Sequence, residues 1–141
     1  MMMVMDMISK KRIDDEKLAL ITFTGKLVEA EGLLEEVSEF IESEKLAVDG
    51  DPTVIFYTAP LKDEGRYDVG FPVKGEATGD GRVKIVTVPG HTVISTEYSK
   101  DRESAYEELV NYVEENELDV IGAPREIYHE KTREVQFPVV L

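Results

Sequence analysis

The second half of this chain repeats the first, and that repeat restricts the fold more than any other feature. Leu46 and Leu118, Gly50 and Gly122, and Pro52 and Pro124 each stand 72 positions apart. Further on, YDVGFPV (67–73) matches REVQFPV (133–139) at an offset of 66. The connection before the last strand is therefore six residues shorter in the second half. Each half reads as strand, helix, strand, strand. Such a unit cannot bury its sheet face alone, but two copies that join their sheets can cover one face with both helices. The expected fold class is α+β: pseudo-twofold β-α-β-β units, an antiparallel sheet with two helices on one face, and a groove between the halves.

The periodicity supplies the elements. LALITFTG (18–25) is rich in β-branched and aromatic residues and predicts a strand. Residues 29–46 place Leu33, Leu34, Val37, Phe40 and Ile41 at helical spacing. After the turn VDGDP (48–52) come a strand at 53–59 and a turn at 60–65. In the next strand, at 66–73, Tyr67, Val69, Phe71 and Val73 share a face. KGEATGDG (74–81) is a linker. The pattern then recurs with strands at 82–88 and 91–98. A helix within 99–118 follows, with Ala105, Tyr106, Leu109, Val110 and Val113 inward. Strands at 125–130 and 133–141 complete it. All five methionines lie in the first seven residues, so residues 1–10 read as a frayed terminus. Residues 11–141 read as one domain, with halves at about 11–73 and 82–141.

Charge limits the partners. Thirty acidic against sixteen basic residues give a net charge of −14. That field repels phosphate backbones, so direct nucleic-acid binding is not expected. The same field attracts cationic ligands, although solubility alone also accounts for it. There is no cysteine, which excludes disulfides, thiolate metal sites and cysteine nucleophiles. His91 and His129 lack metal-ligand spacing. No serine sits in a GxSxG context and no glycine cluster forms a phosphate loop. No cofactor and no metal are expected. No apolar run is long enough for a membrane helix, and the reading is a cytoplasmic protein with no membrane partner.

Four strings carry a family resemblance: PGHTVIST (89–96), SAYEELVNYVEENEL (104–118), GAPREIYHE (122–130) and REVQFPV (133–139). They resemble the second half of GyrI-like domains, the AraC-type, SOUL-like effector-binding domains of multidrug-responsive regulators. IFYTAP (55–60) and YDVGFPV (67–73) resemble the first half. The resemblance covers about residues 11–141 and implies a stand-alone effector domain with a groove between two halves. It implies an aromatic-lined groove with a central glutamate that meets cationic or electrophilic ligands. One departure stands out. Many relatives have a Gly-Pro-Tyr-like turn before the second helix, where this chain has SKDRES (99–104).

Strand alternation sorts the candidate site residues. Val135, Phe137 and Val139 take the helix-covered face, which sends Glu134 and Gln136 into the groove. If Ile127 joins the core, Glu126, Tyr128 and Glu130 face the groove as well. By the repeat, Val54 and Phe56 take the places of Glu126 and Tyr128, and Asp68 that of Glu134. The expected ligand-binding set is Glu134, Tyr128, Glu126, Phe56, Asp68, Tyr112, Tyr106 and Gln136. Tyr57 and Tyr67 fall on the core face. Glu134 aligns with the glutamate of the family's TEIQFPV-like ending, and beside aromatic walls its pKa should rise. The plain alternative is an ion pair of Glu134 with Arg133, Arg125 or Lys131. Tyr128 has a plain alternative too, as a sheet-covering strand residue, and Tyr106 as core.

The main functional expectation is a module that senses or sequesters amphiphilic, cationic aromatic compounds, and not an enzyme. A second is a hydrolase of cyclopropane-type electrophiles, with Glu134 as general acid or base and Tyr128 beside it. A third is a protein-interaction module whose partner is a regulator or gyrase.

Overall fold

Two long antiparallel segments run through both halves of the chain. They appear in a computed structural model that describes residues 8–59 and 62–140. The first segment comprises β1 (Ser9–Ile13) and β2 (Glu16–Lys26); the second comprises β6 (Val83–Val88) and β7 (His91–Tyr98). Ile13 faces His91 and Glu16 faces Val88, so the register continues through the breaks at Asp14-Asp15 and Pro89-Gly90.

Between these segments lie the remaining elements: α1 (Ala30–Ser43), β3 (Ala47–Val48), β4 (Thr53–Phe56), β5 (Glu64–Lys74), α2 (Arg102–Glu115), β8 (Asp119–Val120), β9 (Arg125–Tyr128) and β10 (Arg133–Val140). A single 3-10 turn, Leu27–Glu29, leads into α1. The sheet order is β1-β7-β10-β9-β4-β5-β2-β6, with β3 on β5 and β8 on β10. All pairings are antiparallel. This is the expected α+β class. The expected turn at 60–65 lies partly outside the described residues, and so does the frayed start at 1–7. Ser9 and Lys10, expected in that frayed start, instead open β1 on the second half's β7. Its sequence SKKRI is exposed and basic, which suits an outer strand protected from further pairing.

The repeat has a structural cause at each marker. Both helices end with a residue at positive φ, Lys45 (57°) and Glu117 (51°). The next N–H then reaches back, Leu46 to the Ile41 carbonyl and Leu118 to the Val113 carbonyl, each at 3.0 Å. These are Schellman closures, and their apolar contact is the leucine itself packing on the core. Gly50 and Gly122 recur because a Cβ there would meet the Cγ of Pro72 at 3.0 Å and of Pro138 at 3.3 Å. Those are the prolines of the paired FPV endings. Pro52 and Pro124 bind across the seam: Tyr128 N–H donates to the Pro52 carbonyl at 2.8 Å and Phe56 N–H to the Pro124 carbonyl at 2.9 Å.

The core lies mainly between sheet and helices. In the second half Ala105, Tyr106 and Leu109 of α2 pack on Ile94, Val135, Phe137 and Val139. In the first half Val37 and Ile41 of α1 pack on Ala19, Ile21, Val73 and Val83. A central cluster joins Ala30, Val54, Phe56, Tyr67 and Val69. On the other face Leu18, Leu20 and Ile55 pack with Val86 and Val88. β2 is thus buried on both sides, so its apolar run is continuous and not alternating.

Candidate functional site

The pseudo-twofold axis passes between β4 and β9, where Thr53 faces Ile127, Val54 faces Glu126 and Ile55 faces Arg125. Val54 and Glu126 are also equivalent by the 72-residue repeat. Glu126 additionally faces Val135 of β10. Directly opposed residues in antiparallel strands point to one face, so Glu126 belongs to the helix side with Val54 and Val135. It is 0% exposed.

A buried carboxylate requires donors, and Glu126 has three. Tyr98 Oη donates to Oε1 at 2.5 Å, Tyr106 Oη to Oε2 at 2.7 Å, and Arg102 Nε to Oε2 at 2.7 Å. Tyr98 comes from the end of β7, Tyr106 from the buried face of α2. Arg102 opens α2, whose start is fixed by the Asp101 carboxylate accepting from the Ser104 N–H at 3.0 Å. The Arg102 guanidinium lies over the rings of Phe56 (5.2 Å) and Tyr106 (5.1 Å). Burial first, then the Glu126 carboxylate, pushes the Tyr98 and Tyr106 phenols well above the usual range. Both therefore stay protonated and donate.

The aromatic wall continues into the first half. Tyr67 stacks edge-on with Phe56 at 5.4 Å and lies 5.2 Å from Phe23. Its hydroxyl has no hydrogen-bond partner among the described residues. Tyr128 packs on this cluster under the Arg133 guanidinium, 3.8 Å from the ring centroid. A cavity of about 290 Å³ opens beside it, between Ala30, Glu31, Tyr128 and Arg133.

The opposite face holds two other buried carboxylates. Glu134 accepts from Lys11 Nζ at 2.6 Å and, at 2.9 Å each, from His129 Nε2 and Gln136 Nε2. His129 Nδ1 meets Asp51 at 2.7 Å. Burial raises the Glu134 pKa, but the bonds from Gln136, Lys11 and His129 outweigh it and hold the carboxyl at about 2. The expected rise is thus reversed, because the wall beside Glu134 is cationic and polar, not aromatic. Asp68 accepts from Thr22 Oγ1 and from Tyr57 Oη at 2.7 Å, and Lys84 Nζ lies 3.5 Å away as an ion pair. A cavity of about 510 Å³ runs past His129, Glu134, Gln136 and Asp51.

The eight residues expected in one groove are therefore divided by the sheet. Glu134, Gln136 and Asp68 do share a face. Glu126, Phe56, Tyr128 and Tyr106 lie on the helix face. The misplaced anchor is Ile127, which faces away from the helices and lines the larger cavity. Tyr112 is half-buried against the α2 core and reaches neither cavity. Tyr57, expected in the core, is exposed on the Asp68 side, whereas Tyr67 is in the core. Arg102, Tyr98, Lys11 and Lys84 were not singled out by the sequence. For Tyr98 a signal existed, since a tyrosine four residues before a helix-opening arginine closes a strand rich in buried positions. Among the described residues no group of His, Asp and Glu is arranged to hold a metal ion, and no helix is long and apolar enough to cross a membrane.

Fold and sequence together place the chain among small-molecule binding domains. It belongs to the GyrI-like small molecule binding domain family, whose sequence model matches residues 6–139. It is similar to the EcmrR C-terminal domain, at 17% identity and TM-score 0.82, over 94% of this chain and 96% of that one. In the EcmrR–DNA complex it spans 56% of the matched chain, at 18% identity and TM-score 0.81. It is similar to a hydrolase from Listeria innocua, at 12% identity and TM-score 0.68, over 94% and 91% of the two chains. It is also similar to SAV2435 bound to tetraphenylphosphonium, at 11% identity and TM-score 0.62, over 94% and 93%. At these identities the likeness is one of fold. No curated protein matches the sequence.

Proposed function

We propose that this domain binds an aromatic cation on the helix side of the sheet, with Glu126 as the counter-charge. The observation that carries the reading is the seat already built there. A fully buried carboxylate lies beside the rings of Phe56 and Tyr106, and a guanidinium occupies the space between them. Carboxylate plus aromatic faces is the chemistry that holds organic cations. Tyr128 and the cavity beside it extend the apolar wall. The tetraphenylphosphonium in SAV2435, a protein of the same fold, supports the same ligand chemistry. The net charge of −14 favours a cation and disfavours contact with DNA by this chain itself. On this reading the domain works in the cytoplasm as a sensor or sink.

The hydrolase reading loses its pair. Glu134 and Tyr128 project to opposite faces of the sheet, and a carboxyl held at about 2 is a poor proton donor near neutrality. Calorimetry with tetraphenylphosphonium tests the proposal. Binding is expected, and Glu126→Gln should weaken it at least ~10-fold, about 1.4 kcal/mol. Equal affinity for both forms, or the absence of Glu126-dependent binding of any aromatic cation, would reject the Glu126 site.

A further inference from the structure

We infer that Arg102 is a resident cation that fills the ligand seat, and that the need to displace it selects flat nitrogen cations bearing N–H donors, such as amidinium or guanidinium groups on an aromatic body. The inference rests on the Glu126 site proposed above.

Three observations support it. First, Arg102 makes the contacts expected of a bound cation: a 2.7 Å bond to the carboxylate and a ring from each half, with its guanidinium carbon 5.2 Å from the Phe56 centroid and 5.1 Å from that of Tyr106. Second, its side chain is still 22% exposed while that of Glu126 is 0% exposed. Arg102 is the first residue of α2, and the helix start is held by Asp101, not by Arg102. Outward rotation of its side chain would therefore leave the helix start intact. Third, a cavity of about 290 Å³ opens at Ala30 and Tyr128, which pack in the same cluster as Phe56. It offers room for the body of a ligand whose charged head sits on Glu126.

The selection follows from what remains after displacement. Tyr98 and Tyr106 continue to donate to Glu126, but the charged donor is lost. A cation without N–H groups leaves the buried carboxylate short of one charge-assisted bond. A planar amidinium replaces both the charge and the bond beside the same two rings. In the resting protein the seat is open only in the fraction of molecules whose Arg102 has swung out, and apparent affinity falls by that fraction.

The test measures binding of 2-naphthamidine and of tetraphenylphosphonium by calorimetry, with thermal melts, to the wild type, Glu126→Gln, Arg102→Ala, Arg102→Gln and Arg102→Ala/Glu126→Gln. Arg102→Ala should bind the amidine at least ten-fold more tightly than the wild type. Its melting temperature should fall, and the amidine should restore it. Tetraphenylphosphonium should gain less. The double variant should lose the gain. Arg102→Gln keeps an amide donor beside Glu126 and gives the same comparison if the alanine form does not fold. Equal amidine affinity with and without Arg102, while Glu126→Gln still abolishes binding, would overturn this inference and leave the Glu126 site standing. An equal gain for both cations would overturn the N–H selection. Absence of any Glu126-dependent binding in all forms would overturn the site itself.

Discussion

Val54 and Glu126 occupy equivalent positions of the two halves and lie directly opposite each other at the seam between β4 and β9. Both are fully buried on the helix side. The scaffold is twofold, yet its centre is not. One half contributes a carboxylate with three donors, the other a valine that needs none. Two carboxylates at this point would share those donors in a dry environment.

This relationship gives the first prediction. Val54→Glu should destabilise the fold by about 3–5 kcal/mol, the scale for an uncompensated buried charge. Val54→Ala, which leaves only a cavity beside Phe56 and Val69, should cost about 1–3 kcal/mol. Urea titrations of both variants check the order. An equal cost would mean that Glu126 tolerates a second carboxylate.

The opposite face predicts behaviour in acid. The Glu134 carboxyl is lowered from 4.5 to about 2. A depressed carboxyl contributes stability that is fully present above its unfolded value and lost as pH falls through the folded one. Stability should therefore decline between about pH 4.5 and 2, by roughly 3 kcal/mol for this group. Glu134→Gln should start lower at pH 7 and show a shallower decline. Denaturant midpoints measured across that window test it.

His129 predicts the opposite slope at the other end. Burial lowers its pKa, but hydrogen bonds to Glu134 and Asp51 prevail and raise it above the usual histidine value. A raised histidine contributes stability present below about 6.5, the unfolded value, and lost as pH rises through its folded pKa. The imidazole resonances should titrate above 6.5, and Asp51→Asn should move the midpoint down. A midpoint at or below 6.5 would show that the ring stays neutral between the two acids.

Most of the scaffold was legible in the letters, because the repeated leucines, glycines and prolines each mark a backbone event. Leu46 and Leu118 close helices; Gly50 and Gly122 lie on Pro72 and Pro138. The site was less legible for a physical reason. Alternation assigns faces only where one side is apolar and the other polar, and β9 buries a charged residue on each side, Arg125 and Glu126. Placing Ile127 in the helix-side core therefore turned Glu126 and Tyr128 the wrong way, and Phe56 by the repeat. β1 was missed because SKKRI has no apolar face to announce it; its pairing follows from the register of β2. Arg102 lies in SKDRES, a polar string that reads as a solvated helix start. Only the three-dimensional position of Glu126 explains why its guanidinium turns inward.

The two helix ends allow a prediction that is independent of any ligand. Lys45 and Glu117 both adopt positive φ, where a Cβ crowds the following carbonyl at about 1–2 kcal/mol per residue. Glycine removes that crowding but adds backbone entropy to the unfolded chain, which offsets part of the gain. Lys45→Gly and Glu117→Gly should each stabilise by roughly 0.5–1 kcal/mol. Glu117→Gly should also remove one negative charge from the C-terminal end of α2, which adds a few tenths more, whereas Lys45→Gly removes a favourable positive charge from the end of α1 and should fall at the low end of that range. The sites lie in different halves and share no partner, so the double variant should show the sum within about 0.5 kcal/mol. Alanine at either position keeps the crowding and should give no gain. Chemical denaturation of the five variants would separate these outcomes, and a glycine variant less stable than its alanine counterpart would mean that the Schellman closures at Leu46 and Leu118 do not hold in solution.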